Sequence, residues 1–334
     1  MAKTSRWNKP YALRVPASMI SKSALRHRVV RIAVITCRVY LIVSLAGGIL
    51  LLESALHPSR LPLVQRETLA LLSAPWSLHS VEDVSINAAD GAVLKAWFVE
   101  PRKANGNAVI LLHGVGDNRE GAIGYARFLL QAGYAVLLPD SRAHGESGGN
   151  RATYGLLESD DIRHWTQWVQ SSTSRHSCVD LLGESLGAAL AIQAARLPVN
   201  CAVVAEAPFA SFREIGYERI AQGFHMSSGA SHVLAWPMVN FAFLYARVRY
   251  GYHLDDASPE KQLAASHVPT LLIAGTADDN IPPRHSEQIL RSAAAGSELW
   301  HVANAGHTGA MSTAPEEFQR RVLAWFESHA NHFE

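Results

Sequence analysis

The sequence predicts an α/β fold: a mostly parallel eight-stranded sheet with helices on both faces, a helical insertion and one preceding transmembrane helix. Short apolar runs of strand length alternate along the chain with segments of helical length, which is the order that a parallel sheet with crossover helices requires. The run Ala108–Leu112 is continuously apolar, as a strand covered on both faces is. A longer apolar run near the N terminus predicts the membrane-spanning helix.

The N-terminal apolar segment, residues 32–52, carries a single charged side chain, Arg38. About 20 apolar residues cross a bilayer as a helix, and an arginine near one end can reach the interface. Every charged residue before Glu53 is basic. The positive-inside bias therefore predicts a cytoplasmic tail over residues 1–31 and an extracytoplasmic body. Secretory signals usually have a shorter apolar region, so a retained anchor is favoured, and cleavage stays an open alternative.

The rest of the chain divides into a proline-containing connector, residues 53–79, and a globular domain, residues 80–334. A turn signal at Asp90 and Gly91 separates the first two strands, and short apolar runs mark the others. The predicted strands are Val81–Ile86, Val93–Val99, Ala108–Leu112, Ala135–Leu138, Val179–Leu182, Ala202–Ala205, Thr270–Ala274 and Glu298–Val302. The predicted helices are Gly121–Ala132, Leu156–Gln170, Leu186–Leu197, Arg284–Ala294 and Pro315–Ser328.

The alternation is interrupted at residues 208–257, where aromatic and methionine side chains are frequent. An ordinary helical excursion with its own small core is one interpretation. The segment nevertheless stands between two predicted strands, at the carboxyl ends where ligands bind in open α/β sheets. We therefore predict a lid over an apolar pocket.

The residues from Gly183 to Gly187 read G-E-S-L-G and stand between a predicted strand and a predicted helix. So tight a turn holds its central residue in a strained conformation, and the glycines remove Cβ clashes. The hydroxyl of Ser185 is then exposed at the positive end of the helix, where an oxyanion is favoured. Ser185 is the predicted nucleophile; a serine in an ordinary small-residue helix cap is the alternative interpretation.

A serine hydroxyl needs a base, and the chain offers 16 histidines. When the nucleophile lies on such a turn between a strand and a helix (an elbow), an acid and then a histidine follow it in chain order, each on a loop after a strand. His307, after the strand Glu298–Val302, meets this condition and is the predicted base. Asp278 or Asp279, after the preceding strand, is the acid that would hold the tautomer of His307.

Two backbone N–H groups are needed to hold the oxyanion, and we expect them to be those of Leu186 and Val115. Leu186 follows the nucleophile, and Val115 lies in the loop after the third strand. His113, in the same loop, is expected to order it rather than to take part in the chemistry. Residues 140–149 are expected to form an internally hydrogen-bonded turn, and Glu184 to be a neighbour of the nucleophile.

Taken in order, these motifs resemble those of the α/β-hydrolase superfamily over about residues 80–330. The matching stretches are L-L-H-G, D-S-R-A-H-G-E-S-G-G, G-E-S-L-G, G-T-A-D-D-N-I-P and A-G-H. The resemblance implies the α/β-hydrolase fold and places the acid at the fourth position of G-x-x-D, which is Asp278. It is closest in kind to lysophospholipases, monoacylglycerol lipases and S33 or S9 peptidases, and it implies hydrolysis without a cofactor. Ser141 and Ala143 stand where relatives often have other small residues or glycine, and we expect this difference to leave the catalysis unaffected.

The predicted function is therefore that of a serine hydrolase that cleaves carboxylic esters through an acyl-enzyme. An apolar lid and a membrane anchor favour a lipophilic acyl group, such as that of a lipid. A peptidase or amidase, an acyltransferase and, less favoured, a non-catalytic binding protein remain as alternatives. The acyl chain, the leaving group and the oligomeric state stay open.

Composition and spacing exclude several other classes of function. The formal net charge of +1 argues against nucleic acid as a partner. We find no spacing of histidine and acidic residues that would hold a metal ion. The three cysteines show no redox or zinc pattern, and Cys178 and Cys201 each open an apolar run. We therefore expect these cysteines to be buried apolar residues and not a disulfide.

Overall fold

The computed structural model describes residues 22–64, 81–172, 177–196, 199–266, 268–293 and 296–330. The chain divides into two compact units, Met1–Val43 and Ser44–Glu334. Most of the basic tail predicted at residues 1–31, and much of the connector predicted at residues 53–79, lie outside the described residues.

The N-terminal helix α1, Lys22–Leu56, is longer than the segment predicted from hydropathy. It begins earlier because the arginines before the apolar run favour helix, and it ends just before His57 and Pro58, since a proline disfavours helix in the residue that precedes it. The stretch Leu25–Leu56 is long and apolar enough to cross a membrane, a property that signal sequences share.

The second unit is built on a sheet of eight strands in the order β1-β2-β4-β3-β5-β6-β7-β8. The strands are β1 (Glu82–Asn87), β2 (Val93–Val99), β3 (Ala108–Leu112), β4 (Ala135–Pro139), β5 (Val179–Glu184), β6 (Val203–Glu206), β7 (Thr270–Gly275) and β8 (Glu298–Val302). Strand β2 pairs antiparallel with β1 and β4, and the pairs from β4 to β8 are parallel. The predicted eight-stranded, mostly parallel sheet is confirmed. Three strands have the predicted bounds, and the bounds of the other five differ by one or two residues.

Helices cover both faces of this sheet, and each face has its own apolar core. The helices are α2 (Ile123–Gln131), α3 (Glu158–Ser171), α4 (Leu186–Ala194), α5 (Phe212–Gly223), α6 (Ser228–Leu234), α7 (Trp236–Tyr250), α8 (Pro259–Ala265), α9 (Arg284–Ser292), α10 (Ala310–Thr313) and α11 (Pro315–His329). In β3, Ile110 joins the core that contains α3 and α4, whereas Val109 joins the core that contains α2 and α11. The alternation of strand side chains between two covered faces explains why the central strands are continuously apolar.

The predicted helical insertion is present between β6 and β7. Helices α5, α6 and α7 form it, and a 3₁₀ turn at Leu254–Asp256 closes it. Ser211 caps α5 and Ser227 caps α6, each accepting a hydrogen bond from a backbone N–H of the first turn. The insertion therefore starts and stops at local sequence signals, while its position follows from the strands on either side.

The prediction that Cys178 and Cys201 are unpaired is wrong, because the two form a disulfide. Cys178 directly precedes β5 and Cys201 lies just before β6, and these strands are neighbours in the sheet. Their Cα atoms are 5.6 Å apart, within the range that a disulfide bridges. The pairing could not be read from spacing, since only the strand order brings the two residues together. The bond joins the amino ends of the strands, at the edge opposite to the elbow.

Candidate active site

Ser185 occupies the turn between β5 and α4 in a strained conformation. Its φ is 53° and its ψ is −115°, a region that residues with side chains rarely adopt. The glycines on either side let strand and helix approach each other. An ideal Cβ on Gly187 would overlap the carbonyl oxygen of Leu112, and one on Gly183 would overlap that of Gly187. The glycine spacing of the motif thus reflects backbone contacts that exclude any larger residue.

His307 lies between the serine and an aspartate, on the loop that follows β8. Its Nε2 is 2.9 Å from Oγ of Ser185, and its Nδ1 is 2.8 Å from Oδ2 of Asp278. When Nδ1 donates its proton to the carboxylate, Nε2 presents a lone pair to the hydroxyl, which is the arrangement a base needs. Loops after β5, β7 and β8 therefore bring together the three residues that the sequence singled out.

The two candidate acids of the sequence differ in surroundings. Asp278 is buried, with 3% of its surface exposed, and its Oδ1 accepts hydrogen bonds from the N–H groups of Asn280 at 2.9 Å and Ile281 at 2.8 Å. Its other oxygen faces His307. Asp279 is exposed. The structure therefore places Asp278, and not Asp279, beside the histidine, in agreement with the position implied by the family motif.

The two predicted oxyanion donors lie on either side of the serine. Leu186 is the first residue of α4, and Val115 follows Gly114, whose ideal Cβ would be 3.6 Å from the Cβ of Ser185. Val115, Ser185 and Leu186 line the same cavity. Within the described ranges, neither the N–H of Val115 nor that of Leu186 has a hydrogen-bond acceptor. Two backbone donors are thus available next to the serine.

His113 is buried and holds its loop against the loop after β4. Its Nε2 accepts a hydrogen bond from the N–H of Ser141 at 3.0 Å, so its proton lies on Nδ1, which donates to the carbonyl of Gly114 at 2.8 Å. Burial lowers the pKa of His113 and keeps the ring neutral. The prediction that this histidine orders its loop is confirmed.

The loop after β4, residues 140–149, is bonded within itself as predicted. The carboxylate of Asp140 accepts hydrogen bonds from the N–H of Glu146 at 2.7 Å and from that of Arg119 at 2.8 Å. The hydroxyl of Ser147 donates to the carbonyl of Asp140 at 2.7 Å. The buried aspartate therefore acts as the centre of a rigid turn, and it also ties this turn to the segment before α2.

A pair of carboxylates bridged by a tyrosine lies close to the serine, and the sequence motifs include only Glu184 of this cluster. The hydroxyl of Tyr125 is 3.0 Å from Oε2 of Glu184 and 2.8 Å from Oε2 of Glu206. The other oxygen of Glu206 accepts the N–H of Ala310, just after the loop that carries His307. Burial raises the pKa of Glu184 to about 7 and also raises the pKa of Glu206. The cluster therefore couples a titrating carboxyl to the histidine loop.

An apolar cavity of about 110 Å³ opens beside Ser185. Its walls come from four parts of the chain that are distant in sequence: the end of α1, the loop before α3, the helical insertion and the loop after β7. They include Leu51, Leu52, Ala55, Tyr154, Phe209, Phe212, Ile215, Arg219, Val239, Ala242, Phe243 and Ile281. Apart from Ser185 and Arg219, the lining is chiefly aliphatic and aromatic, so the cavity suits an apolar group.

Arg219 and Gln222 of α5 join the insertion to the loop that carries the aspartate. Gln222 Nε2 donates to the carbonyls of Asp279 at 2.7 Å and Asn280 at 3.0 Å. Arg219 Nη1 donates to the carbonyl of Asn280 at 3.2 Å and also bonds its side chain. The insertion is therefore hydrogen-bonded to the loop that carries Asp278, and it also lines the cavity.

Sequence reasoning missed Tyr125 and Glu206, together with the part played by the end of α1. Tyr125 and Glu206 fall on a helix and a strand whose patterns look like ordinary core, so no local signal sets them apart. The described residues hold no group of three or more histidine, cysteine or acidic side chains that could bind a metal ion.

A sequence profile described as the alpha/beta hydrolase family matches residues 109–321 of the chain. The chain belongs to the alpha/beta hydrolase family. The resemblance drawn from its motifs is thus confirmed, and membership supports hydrolase activity in general.

The chain is also similar to individual known proteins. The chain is 27% identical over 248 residues to the uncharacterized protein YqkD of Bacillus subtilis (strain 168), which is 73% of this chain and 78% of YqkD. Its fold is similar to that of the Pyrococcus furiosus esterase Pf2001, with a TM-score of 0.65 and 23% identity, over 82% of this chain and 100% of the esterase. It is also similar to a puromycin-hydrolyzing peptidase of Mycobacterium tuberculosis, with a TM-score of 0.60 and 14% identity, over 75% of this chain and 39% of the peptidase. At these identities the likeness to both structures establishes the fold.

Proposed function

We propose that the protein is a membrane-anchored serine hydrolase that cleaves carboxylic esters of lipophilic acyl groups. The observation that carries this proposal is the continuous line from Ser185 through His307 to Asp278, with 2.9 Å and 2.8 Å between the bonded atoms. The strained backbone of the serine and the two free backbone donors beside it support the same chemistry.

In the proposed reaction, Oγ of Ser185 attacks the ester carbonyl carbon while Nε2 of His307 takes the hydroxyl proton. Asp278 stabilises the imidazolium, and the N–H groups of Val115 and Leu186 hold the oxyanion of the tetrahedral intermediate. The intermediate collapses as His307 returns the proton to the leaving alkoxide, which leaves an acyl-serine. A water molecule, deprotonated by the same histidine, then releases the carboxylic acid and restores the serine.

The apolar cavity supports a lipophilic acyl group as the part of the substrate that is held. Phe209, Phe212 and Ile215 line it on one side, and Leu51 and Leu52 line it on another. Burying one methylene contributes about 0.8 kcal/mol, so a chain of several carbons in this cavity would gain substantial binding energy. A short acetyl group would leave most of the wall without contacts.

Cleavage of an amide is the second candidate, since the same three residues could attack a peptide carbonyl. The fold likeness to a peptidase favours it as an alternative. A parallel assay of acyl esters and an amino-acyl anilide separates the two, because a higher kcat/KM on the anilide would exclude the ester proposal.

We propose that the hydrolase domain, residues 80–334, lies on the extracytoplasmic side, with residues 1–31 in the cytoplasm. The basic residues before the apolar segment support this orientation. The disulfide between Cys178 and Cys201 supports it independently, because disulfides persist in oxidising compartments. An alkaline phosphatase reporter fused to the C terminus should be active in cells, and an inactive reporter would reverse the orientation.

The decisive test of the activity is labelling with a fluorophosphonate, which reacts with activated serines. We expect the wild-type chain to be labelled and Ser185→Ala to show no labelling and no hydrolysis of p-nitrophenyl butyrate. Ser211→Ala is the matched control, since this serine caps α5. Labelling that survives in Ser185→Ala would place the nucleophile elsewhere.

A further inference from the structure

The end of the N-terminal helix is part of the substrate cavity. Leu51, Leu52 and Ala55 of α1 line the same space as Ser185. Leu52 and Leu56 are also almost fully buried and belong to the larger apolar core of the second unit. Residues 44–56 of α1 are thus a structural element of the domain and not a tether to it.

Hydrogen bonds fix this element in place. The carbonyl of Leu56 accepts the N–H of Ala152 at 2.8 Å, and the carbonyl of Ala55 accepts the hydroxyl of Tyr154 at 3.3 Å. Tyr154 also lines the cavity, so this bond joins two walls directly. The carboxylate of Glu53 accepts the hydroxyl of Tyr250, at the end of α7, at 2.6 Å.

Helix α7 packs closely against the same element. An ideal Cβ on Gly48 would overlap the backbone carbonyl of Met238, whereas one on Gly47 would meet only the end of the Met238 side chain, at 2.7 Å. Two helices approach this closely only where one of them lacks a side chain. The contact therefore holds α7 of the insertion against residues 44–56, and both contribute cavity wall through Leu51 and Val239.

The outer face of α7 carries an unusual apolar stripe. Leu244 is 57% exposed and Val248 is 78% exposed, and they stand one turn apart on the helix. Pro237 and Phe241, both half-buried, continue the same stripe at helical spacing. At the first position of the helix Trp236 is 60% exposed. We define these five residues as the α7 stripe.

The chemistry of this surface fits a bilayer interface. Exposed Arg247 and Arg249 stand in the last turn of α7, and an exposed tryptophan stands in its first turn, a distribution typical of helices that lie among lipid headgroups. Helix α7 packs on Gly48 of α1, and the apolar stretch Leu25–Leu56 of α1 is long enough to cross a membrane. Leu50 of α1 is also exposed, by 70%.

We infer that α7 and residues 44–56 of α1 together form a membrane-embedded port that passes the acyl chain of a bilayer lipid to Ser185. This inference rests on the proposed ester hydrolysis for its chemistry and adds the source of the substrate. The acyl chain occupies the cavity whose walls α1 and the insertion share, with the α7 stripe among the lipid chains. The lipid never has to leave the bilayer completely, which saves the cost of exposing its chain to water.

The first experiment tests the port without using catalysis. In the full chain with Cys37→Ser, which removes the free thiol of the described residues, Leu244→Cys carries an environment-sensitive fluorophore and Glu298→Cys is the matched control. Glu298 is exposed at the amino end of β8, at the edge opposite to the site. In phosphatidylcholine vesicles with doxyl-labelled acyl chains, quenching at position 244 should be at least threefold stronger than at position 298. Equal quenching at both positions overturns the port. Quenching at position 244 that decreases as the protein concentration rises also overturns it, because this result indicates that a second copy of the chain covers the stripe.

The second experiment tests whether α1 forms part of the wall of the cavity that holds the acyl chain. Ala55→Phe fills the cavity from the α1 side, and Ser54→Phe adds the same side chain at an exposed neighbour. The ratio of kcat/KM for p-nitrophenyl palmitate to that for p-nitrophenyl butyrate should fall at least tenfold in Ala55→Phe and change less than twofold in Ser54→Phe. Fluorophosphonate labelling reports whether each variant is folded. If Ala55→Phe is labelled and its ratio is unchanged, α1 does not line the cavity that holds the acyl chain. Absence of any labelling in the wild type rejects the proposed function but leaves the quenching result intact.

Discussion

The two sides of the candidate site are built in different ways. On the sheet side, Ser185 and its partners stand on loops fixed by backbone contacts, with glycines where strand and helix touch. On the insertion side, the wall consists of apolar side chains from α1 and the insertion. In the function that we propose, the sheet side sets the reaction, which tolerates little change of geometry. The insertion side then sets the acyl group, for which many side chains serve. The two sides should therefore respond very differently to substitution.

The largest expected effect comes from the acid on the sheet side. Asp278→Asn should lower kcat by about 10⁴-fold, because an amide at this position favours the wrong tautomer of His307. Asp279→Asn, the matched control, should change kcat less than threefold, since this side chain is exposed. Steady-state hydrolysis of p-nitrophenyl butyrate measures both. Equal losses in the two variants would remove Asp278 from the proposed mechanism.

The next largest effect contrasts a glycine of each side. Gly187→Ala should lower the free energy of unfolding by more than about 4 kcal/mol, because its Cβ overlaps the backbone carbonyl of Leu112. Gly216→Ala, in α5, has nothing within 4 Å of the added Cβ and should raise stability by about 1 kcal/mol through helix propensity. Urea unfolding measures both variants. Similar stabilities would contradict the distinction between a rigid and a tolerant side.

A smaller effect should come from the amino ends of the strands, at the edge of the sheet opposite to the site. The double variant Cys178→Ala and Cys201→Ala removes a disulfide that closes a loop with a sequence separation of 23. We expect the free energy of unfolding to fall by about 3 kcal/mol while kcat/KM stays within twofold, because the bond does not contact the site. Cys37→Ala should change neither quantity. A large loss of activity in the folded double variant would show that the two sheet edges are coupled.

The smallest effect concerns pH and the carboxylate beneath the serine. Glu184 has a pKa of about 7 in the folded protein, above its ordinary value of 4.5, because burial disfavours the charged form. A raised folded pKa means that its contribution to stability is complete below pH 4.5 and is lost as the pH rises through 7. Glu184→Gln cannot ionise, so its free energy of unfolding should fall less than that of the wild type across this window, by on the order of 2–3 kcal/mol. Urea unfolding at several pH values measures the difference, and parallel pH curves would refute it.

The sequence was informative where backbone geometry demands a particular residue. A Cβ at Gly183 or Gly187 would overlap neighbouring backbone atoms, so both positions require glycine, and the turn that carries Ser185 can be recognised from their spacing. The order of serine, aspartate and histidine follows from strands that end at one edge of the sheet. These features are local or topological, and they predict Ser185, Asp278 and His307 as neighbours.

Other features depend on packing that no local pattern encodes. The disulfide requires that β5 and β6 be adjacent in the sheet, and Cys201 looks like any buried apolar residue in the sequence. Tyr125 meets Glu184 and Glu206 only because α2 covers that part of the sheet. The sequence predicts lipid-facing helix as far as Leu52, because leucines that face a lipid and leucines that face a protein core cannot be distinguished by hydropathy.

The packing of residues 44–56 also bears on how the enzyme matures. Leu52 and Leu56 complete a core that otherwise forms from residues made much later, so the domain finishes folding against a segment synthesised near the start of the chain. A signal peptidase that cut after residue 52 would remove Leu51 and Leu52 from the wall. Such a cut would therefore leave the cavity open on one side, whereas an uncut α1 keeps its wall complete.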